Sequence, residues 1–295
     1  MSLGPRIATG EDPAARWPAV LGRVSYWLTP VYERLPDAVF PARARRIQAY
    51  CVGAPRSGTV SIADQFKGQF RVGHEPESRF LTWKILAYRS GKTNPARMRR
   101  YLEKRDRRLG LELDSSYLNA EIAALLVESF PAARFILTVR DCLSWTESIV
   151  NFLINKPEFL HRKRHIRRHM GLCFGTPPYT YSPHEAVLEA RGLHPLRSYL
   201  TYWTAHNQRI LDAVPAERLI VVKTREIGQS SRRLEDFLAL PAGTLRSAVH
   251  SNSAKARHGI LDQIDPGYLR ASAEACCGAL MARLFPEAGG CGEQD

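Results

Sequence analysis

Residues 50–59 read Tyr-Cys-Val-Gly-Ala-Pro-Arg-Ser-Gly-Thr, an apolar run that meets a glycine-bracketed turn and then helix-forming sequence. Gly53 and Gly58 have the separation of the triphosphate-binding loop GxxxxGK[ST], whose lysine reaches the β- and γ-phosphates and whose hydroxyl serves magnesium. Thr59 stands where that lysine would be. Loop amides and the start of the following helix still favour an anion, and Arg56, Ser57 and Thr59 add donors. The segment therefore predicts a site for a phosphate-bearing nucleotide other than a magnesium triphosphate.

A second apolar run, residues 135–140 within Arg134 to Asp141, ends in a charge and is followed by Ser144, Trp145 and Ser148. Further β-rich runs fall at residues 47–53, 70–73, 109–114 and 219–223, with helical stretches between them. This alternation predicts an α/β fold with a P-loop-type parallel sheet of about five strands flanked by helices. Ligands of such sheets bind at the carboxyl ends of the strands, where both motifs fall. With 295 residues and 44% hydrophobic content the chain can bury one substantial core. The expected division is a Pro- and Arg-rich N-terminal arm over 1–45, one domain over 46–285 and a frayed tail over 286–295. The aromatic patch at 24–32 in the arm reads as a short amphipathic packing piece.

On Gly53 to Thr59 and on the eight-residue spacing from Arg140 to Ser148, the chain resembles the sulfotransferases that use 3'-phosphoadenosine 5'-phosphosulfate, PAPS, as sulfuryl donor. The resemblance spans residues 46–285. It implies that Arg56, Ser57, Gly58 and Thr59 bind the 5'-phosphosulfate and that Arg140 and Ser148 bind the 3'-phosphate. Val60 stands where the family carries a second hydroxyl after the glycine. The family also brings a basic loop over the 3'-phosphate and adenine, which would make Lys255 and Arg257 donor-binding residues. A solvated surface loop is the alternative reading of 251–259. The last strand, 219–223, matches the family as fold signature.

Sulfuryl transfer to a hydroxyl needs a base for the acceptor proton. Gly73-His74-Glu75-Pro76-Glu77 follows the second strand and offers a histidine and two carboxylates. Carbohydrate-type and many bacterial members resemble this chain in carrying a Glu here, often in a Glu-Pro pair, whereas cytosolic small-molecule enzymes use a histidine. Glu75 is the expected base, ahead of His74 and Glu77, with Arg56 neutralising the leaving phosphate. A plain helix-start turn with Pro76 in the first helical turn is the competing reading. Asp114, Ser115 and Tyr117, at the third strand end, are candidate acceptor contacts together with Glu77. Ser115 or Ser116 could equally cap a helix over 118–130.

The formal charge of +13 rests on 42 basic residues, 34 of them arginine, and its field would steer a multiply anionic donor or acceptor. His161, His165 and His169 share one face of a strongly basic segment. Surrounding guanidinium charge argues against a metal there, leaving a solvated basic helix or a cap that attracts an anionic acceptor. Six cysteines show no CxxC pair, so neither a structural metal nor a disulfide scaffold is expected. The first 45 residues lack a leader-like apolar core and no run approaches the ~20 residues of a membrane span. The expectation is a cytoplasmic protein acting on a small-molecule, glycan or lipid-linked acceptor, an anionic one among them. A phosphoryl-transferring kinase would require the missing lysine. A nucleic-acid binder would require aromatic platforms that the basic stretches lack.

Overall fold

The architecture comes from a computed structural model that describes residues 31, 35–36, 39–157, 164–246 and 257–287. Five short strands, β1 (Ala49–Cys51), β2 (Val72–His74), β3 (Leu113–Ser115), β4 (Arg134–Val139) and β5 (Leu219–Lys223), form one parallel sheet in the order β2-β3-β1-β4-β5. In β4 every residue from Phe135 to Val139 is buried, as expected of a central parallel strand covered on both faces. Each of the five β-rich runs in the sequence overlaps one of these strands, with β2 and β3 extending one residue past the expected runs, to His74 and Ser115.

Alternation along the strands divides the core. Tyr50, Val52, Phe135, Leu137 and Val139 point to one face. There they meet α2 (Ser78–Arg89), α3 (Pro95–Leu109), α4 (Ala123–Ser129), α5 (Cys142–Asn155), α8 (Leu196–Ala213) and α10 (Pro266–Leu284). Between α5 and α8 lie α6 (Arg164–Phe174) and the short α7 (Ala186–Ala190). Ala49, Cys51, Leu113, Ile136 and Val222 point the other way, against Ile62 and Phe66 of α1 (Thr59–Phe66) and Leu234 of α9 (Ser231–Phe237). Connections that advance toward β5 cover the first face, and the one that steps out to β2 covers the second, as right-handed crossovers require. The chain thus leaves β1 and β4, which are neighbours, in opposite directions. Their carboxyl ends form the switch-point crevice where ligands of open parallel sheets bind.

Two local expectations changed. The helix expected over 118–130 begins as a 3-10 segment, Tyr117–Ile122, before α4. Ser116 caps it by accepting from the Leu118 amide, while the Asn119 side chain donates to the Asp114 carbonyl and carboxylate. Those bonds hold the first turn tight. Pro76 lies outside α2, which is entered through Glu77 in a left-handed conformation.

A buried ionic group fixes this second-strand turn. Arg105 of α3 pairs with Asp114 at 2.6 Å and donates to the Pro76 carbonyl, and Arg108 grips Glu77 with both guanidinium nitrogens. Burial opposes the charge on Arg105, but Asp114, Tyr101 and Glu77 outweigh it and hold its pKa above the ordinary value. The end of the expected arm is tied to α3: Arg45 pairs with Asp106 at 2.9 Å, and next to it, at the start of the expected domain, the Arg46 amide donates to Glu112. Glu287, within the expected tail, pairs with Lys223 and Arg225. Replacing Arg105 with Met leaves the Asp114 carboxylate buried without its counter-charge. It should cost about 3–5 kcal/mol, read as a lower urea midpoint at unchanged m-value.

Candidate active site

The loop after β1 is shaped by close approach. A Cβ on Gly53 would lie 1.8 Å from the Thr138 hydroxyl, so only glycine lets the chain pass β4. At Gly58 φ is +105°, and a Cβ there would lie 2.2 Å from Ile227. Arg56 also adopts a positive φ, 66°, a conformation that non-glycine residues hold only where the surroundings impose it. The Ser57 hydroxyl donates to the Ala54 carbonyl at 2.7 Å and meets the Thr138 hydroxyl at 2.8 Å. Its amide also donates to Ala54. The Ser57 amide and hydroxyl are thus both engaged inside the turn. Thr59 opens α1, with its hydroxyl 3.4 Å from His74 Nε2. Val60 follows in the same first turn, half-buried.

Arg140 leaves the end of β4 and Asp141 caps α5 by accepting from the Ser144 amide. Arg140 Nε donates to the Ser144 hydroxyl at 3.0 Å. Ser148, four residues on, lies on the same face of α5. Arg257 belongs to a segment moored along that helix. The His258 amide donates to Asn151, the His258 ring meets Asn155 and the Leu261 amide donates to Glu147. Lys255 lies outside the described residues.

Three guanidinium groups therefore converge at the crevice. Burial lowers the pKa of Arg56, and the charge of Arg140 lowers it further. Burial also lowers that of Arg140, against the pull of Asp141 and with the push of Arg257. Arg56 Nε is buried without a hydrogen-bond partner, and its guanidinium stands 5.4 Å over the Phe152 ring. Like charges held together in a partly desolvated crevice, with a donor left unsatisfied, are the arrangement a polyanion would stabilise.

Helix α8 ties both segments together, a role that residues scattered through its sequence did not reveal. Trp203 Nε1 donates to the Arg140 carbonyl at 2.8 Å. His206 Nε2 donates to the Val52 carbonyl at 2.8 Å, and its Nδ1 accepts from the Tyr202 hydroxyl. Burial pushes His206 down to about 4, which keeps the ring neutral for this pair of bonds. Trp145 stacks on Tyr202 and donates to the Pro55 carbonyl at 2.7 Å. From β5 the Thr224 hydroxyl shares its hydrogen between the Ser57 and Val139 carbonyls, 2.6 and 2.9 Å away.

The turn after β2 brings His74 and Glu75 to the same edge. Glu75 has φ 51° and its amide donates to the Ser115 carbonyl at 2.8 Å. Burial raises the Glu75 pKa. His74 is lowered by burial and then by Lys67. No hydrogen bond or ion pair within the described residues engages the Glu75 carboxylate. Glu77, in contrast, is gripped by Arg108, and Asp114 by Arg105. Ser115 donates to the Thr59 carbonyl at 3.0 Å and Tyr117 is buried. These four candidate acceptor contacts are built into the walls of the fold.

His161 lies outside the described residues, and α6 carries the rest of the basic segment, with Arg167 and Arg168 exposed. Among the described residues, no three His, Cys, Asp or Glu side chains gather as a metal would need. No helix there is long and apolar enough to cross a membrane.

The sulfotransferase domain family model matches residues 48–244, so the chain belongs to that family. Its fold is similar to that of a sulfotransferase from Mycobacterium avium, at TM-score 0.52 and 14% identity over 93% of this chain and 86% of the other. A sulfotransferase from Alicyclobacillus acidocaldarius aligns at TM-score 0.44 and 17% identity, over 80% of this chain and 96% of that one. No curated protein matches the sequence. The family and the fold define a transferase that moves sulfuryl groups.

Gly53→Ala tests the loop packing. The added methyl must displace Thr138 or the turn, an overpacking cost of about 1–3 kcal/mol, visible as a lower melting temperature together with impaired anion binding.

Proposed function

We propose that the chain transfers the sulfuryl group of PAPS to a hydroxyl of a small-molecule acceptor. The observation that carries this reading is the convergence of Arg56, Arg140 and Arg257 beside a glycine-bracketed loop that lacks the kinase lysine. Two separate phosphate positions are what an adenosine bisphosphate presents, and the two motifs flank one switch point.

Arg56, the loop amides and the start of α1 hold the phosphosulfate end, with Thr59 and Val60 in the first helical turn. Arg140 and Ser148 hold the 3'-phosphate, and Arg257, with Lys255 from the same segment, closes over it. When bound, PAPS supplies a sulfuryl group activated by its bond to phosphate. Glu75 takes the acceptor's hydroxyl proton as the new oxygen–sulfur bond forms and the bond to the phosphate oxygen breaks. Arg56 lies where negative charge then builds on the departing phosphate, the placement that electrostatic stabilisation requires.

Glu75 is the preferred base for three reasons: its carboxylate has no hydrogen-bond or ion-pair partner among the described residues, burial raises its pKa, and its backbone is held in a rarely populated conformation. His74 is the alternative, a neutral ring aimed at Thr59. Glu77 and Asp114 serve by fixing the turn that carries both.

Calorimetric titration with adenosine 3',5'-bisphosphate, with magnesium ATP as control, tests the donor. Micromolar binding without metal, weakened about tenfold or more in Arg140→Ala through loss of a charge-assisted pair, is expected. A preference for magnesium ATP would refute it. Glu75→Gln should retain bisphosphate affinity and lose about 10²–10⁴ in kcat. In the wild type kcat/KM should rise with pH as Glu75 deprotonates, with a midpoint above the ordinary carboxylate range. That limb should survive in His74→Asn and vanish in Glu75→Gln. Survival in Glu75→Gln would transfer the role to His74.

A further inference from the structure

The three guanidinium groups of the crevice are placed along α5 by different means. Ser144, Ser148 and Phe152 recur every four residues and share one face of that helix. Arg140 is held by the Ser144 hydroxyl at 3.0 Å. The segment that carries Arg257 is moored by Asn151 and Asn155 through His258. Arg56 arrives from the loop after β1 and stands over the ring of Phe152, its guanidinium carbon 5.4 Å from the ring centroid.

This ring is the contact that locates the Arg56 side chain. Its Nε is buried without a hydrogen-bond partner, and no carboxylate or carbonyl engages the guanidinium among the described residues. Arg46, Arg134 and Arg218 also stand over rings, but each is tied to a carboxylate or a carbonyl as well. Arg105 and Arg108, which brace the turn after β2, are paired with Asp114 and Glu77. A carboxylate beside Arg56 would fix the side chain, but it would cancel the charge and occupy the donors. An aromatic face attracts the cation through its quadrupole, more strongly where water is partly excluded, and takes none of the five N–H groups. Phe152 is half-buried and packs against the core on its face of the sheet, so the ring itself is held.

We infer that Phe152 is a positioning residue for Arg56: its ring holds the guanidinium, still charged and with its N–H groups available, toward the 5'-phosphate end of the donor. The inference rests on the PAPS reading for the identity of that anion, and Phe152 acts through Arg56 rather than on the nucleotide. Without the ring, Arg56 is fixed only by its backbone in the left-handed conformation. The side chain is then free to turn toward water and away from Arg140, whose charge opposes its own. Binding the anion must then supply the ordering that the ring now provides.

Calorimetry on the full chain compares adenosine 3',5'-bisphosphate with adenosine 3'-monophosphate, which lacks only the 5'-phosphate. Phe152→Leu removes the aromatic face and keeps an apolar side chain. It should weaken bisphosphate binding about three- to tenfold, in the range of a partly desolvated cation–π contact, and leave monophosphate binding unchanged. Phe152→Met, a second variant without the ring, should do the same, which guards against a folding defect peculiar to leucine. Phe152→Tyr retains the ring and should keep the wild-type affinity. In an Arg56→Met background, Phe152→Leu should have no further effect on either nucleotide. Equal weakening of both nucleotides, unchanged bisphosphate affinity in the ringless variants, or a selective loss that persists without Arg56 overturns the inference alone. Wild-type protein that binds neither nucleotide overturns the PAPS reading and this inference with it.

Discussion

The carbonyls of Val52 and Arg140 are the two points on which the site depends, because each is held by a side chain of the same helix. His206 and Trp203 of α8 reach across the carboxyl edge of β1 and β4 and set the glycine loop and the arginine-bearing loop relative to one another. A separation imposed by one rigid helix is better preserved than one left to two loops, and recognition of a ligand with two separate anionic groups depends on that separation. Neutral His206 suits this work: a buried imidazolium would have no acceptor for its second proton beside the Tyr202 hydroxyl, which instead donates to it.

The site is arranged as opposing electrostatic halves. Arg56, Arg140 and Arg257 are brought together against their mutual repulsion, a cost the fold sustains through packing and through the moorings of Arg257's segment along α5. The acidic half is divided differently. Glu77 and Asp114 are neutralised by Arg108 and Arg105 and serve as a rigid base, whereas Glu75, on a backbone turn held between them, has no counter-charge among the described residues. Two glutamates separated by one proline thus sit in opposite surroundings, set by which of them finds an arginine among the described residues.

Much of the fold was legible because a parallel strand buried on both faces must be a short apolar run, and the turns that follow must carry polar residues. The five runs and the two donor motifs were therefore readable one segment at a time. Ser57 was not. Its hydroxyl meets that of Thr138, which arrives from another strand. Glu77 and Asp114 also looked like site carboxylates, because their partners lie on α3, a helix whose basic residues resemble any solvated basic face in sequence. The strand-end serines offered two capping positions, and the choice of Ser116 followed from bonds made by Asn119 farther on.

The sequence by itself determined the chain's class: a lysine-less phosphate loop after a buried strand, an Arg140 to Ser148 pair after another, and the alternation that makes both strand ends converge on one edge. These are local patterns, and local backbone preferences and hydrophobic periodicity express them directly. Only the tertiary structure decided which charges face the crevice and which brace the fold, and which helix sets the spacing of the two motifs. Those outcomes depend on pairs far apart in the chain, such as Val52 with His206 and Ser57 with Thr138. No spacing within a single segment encodes such a pair.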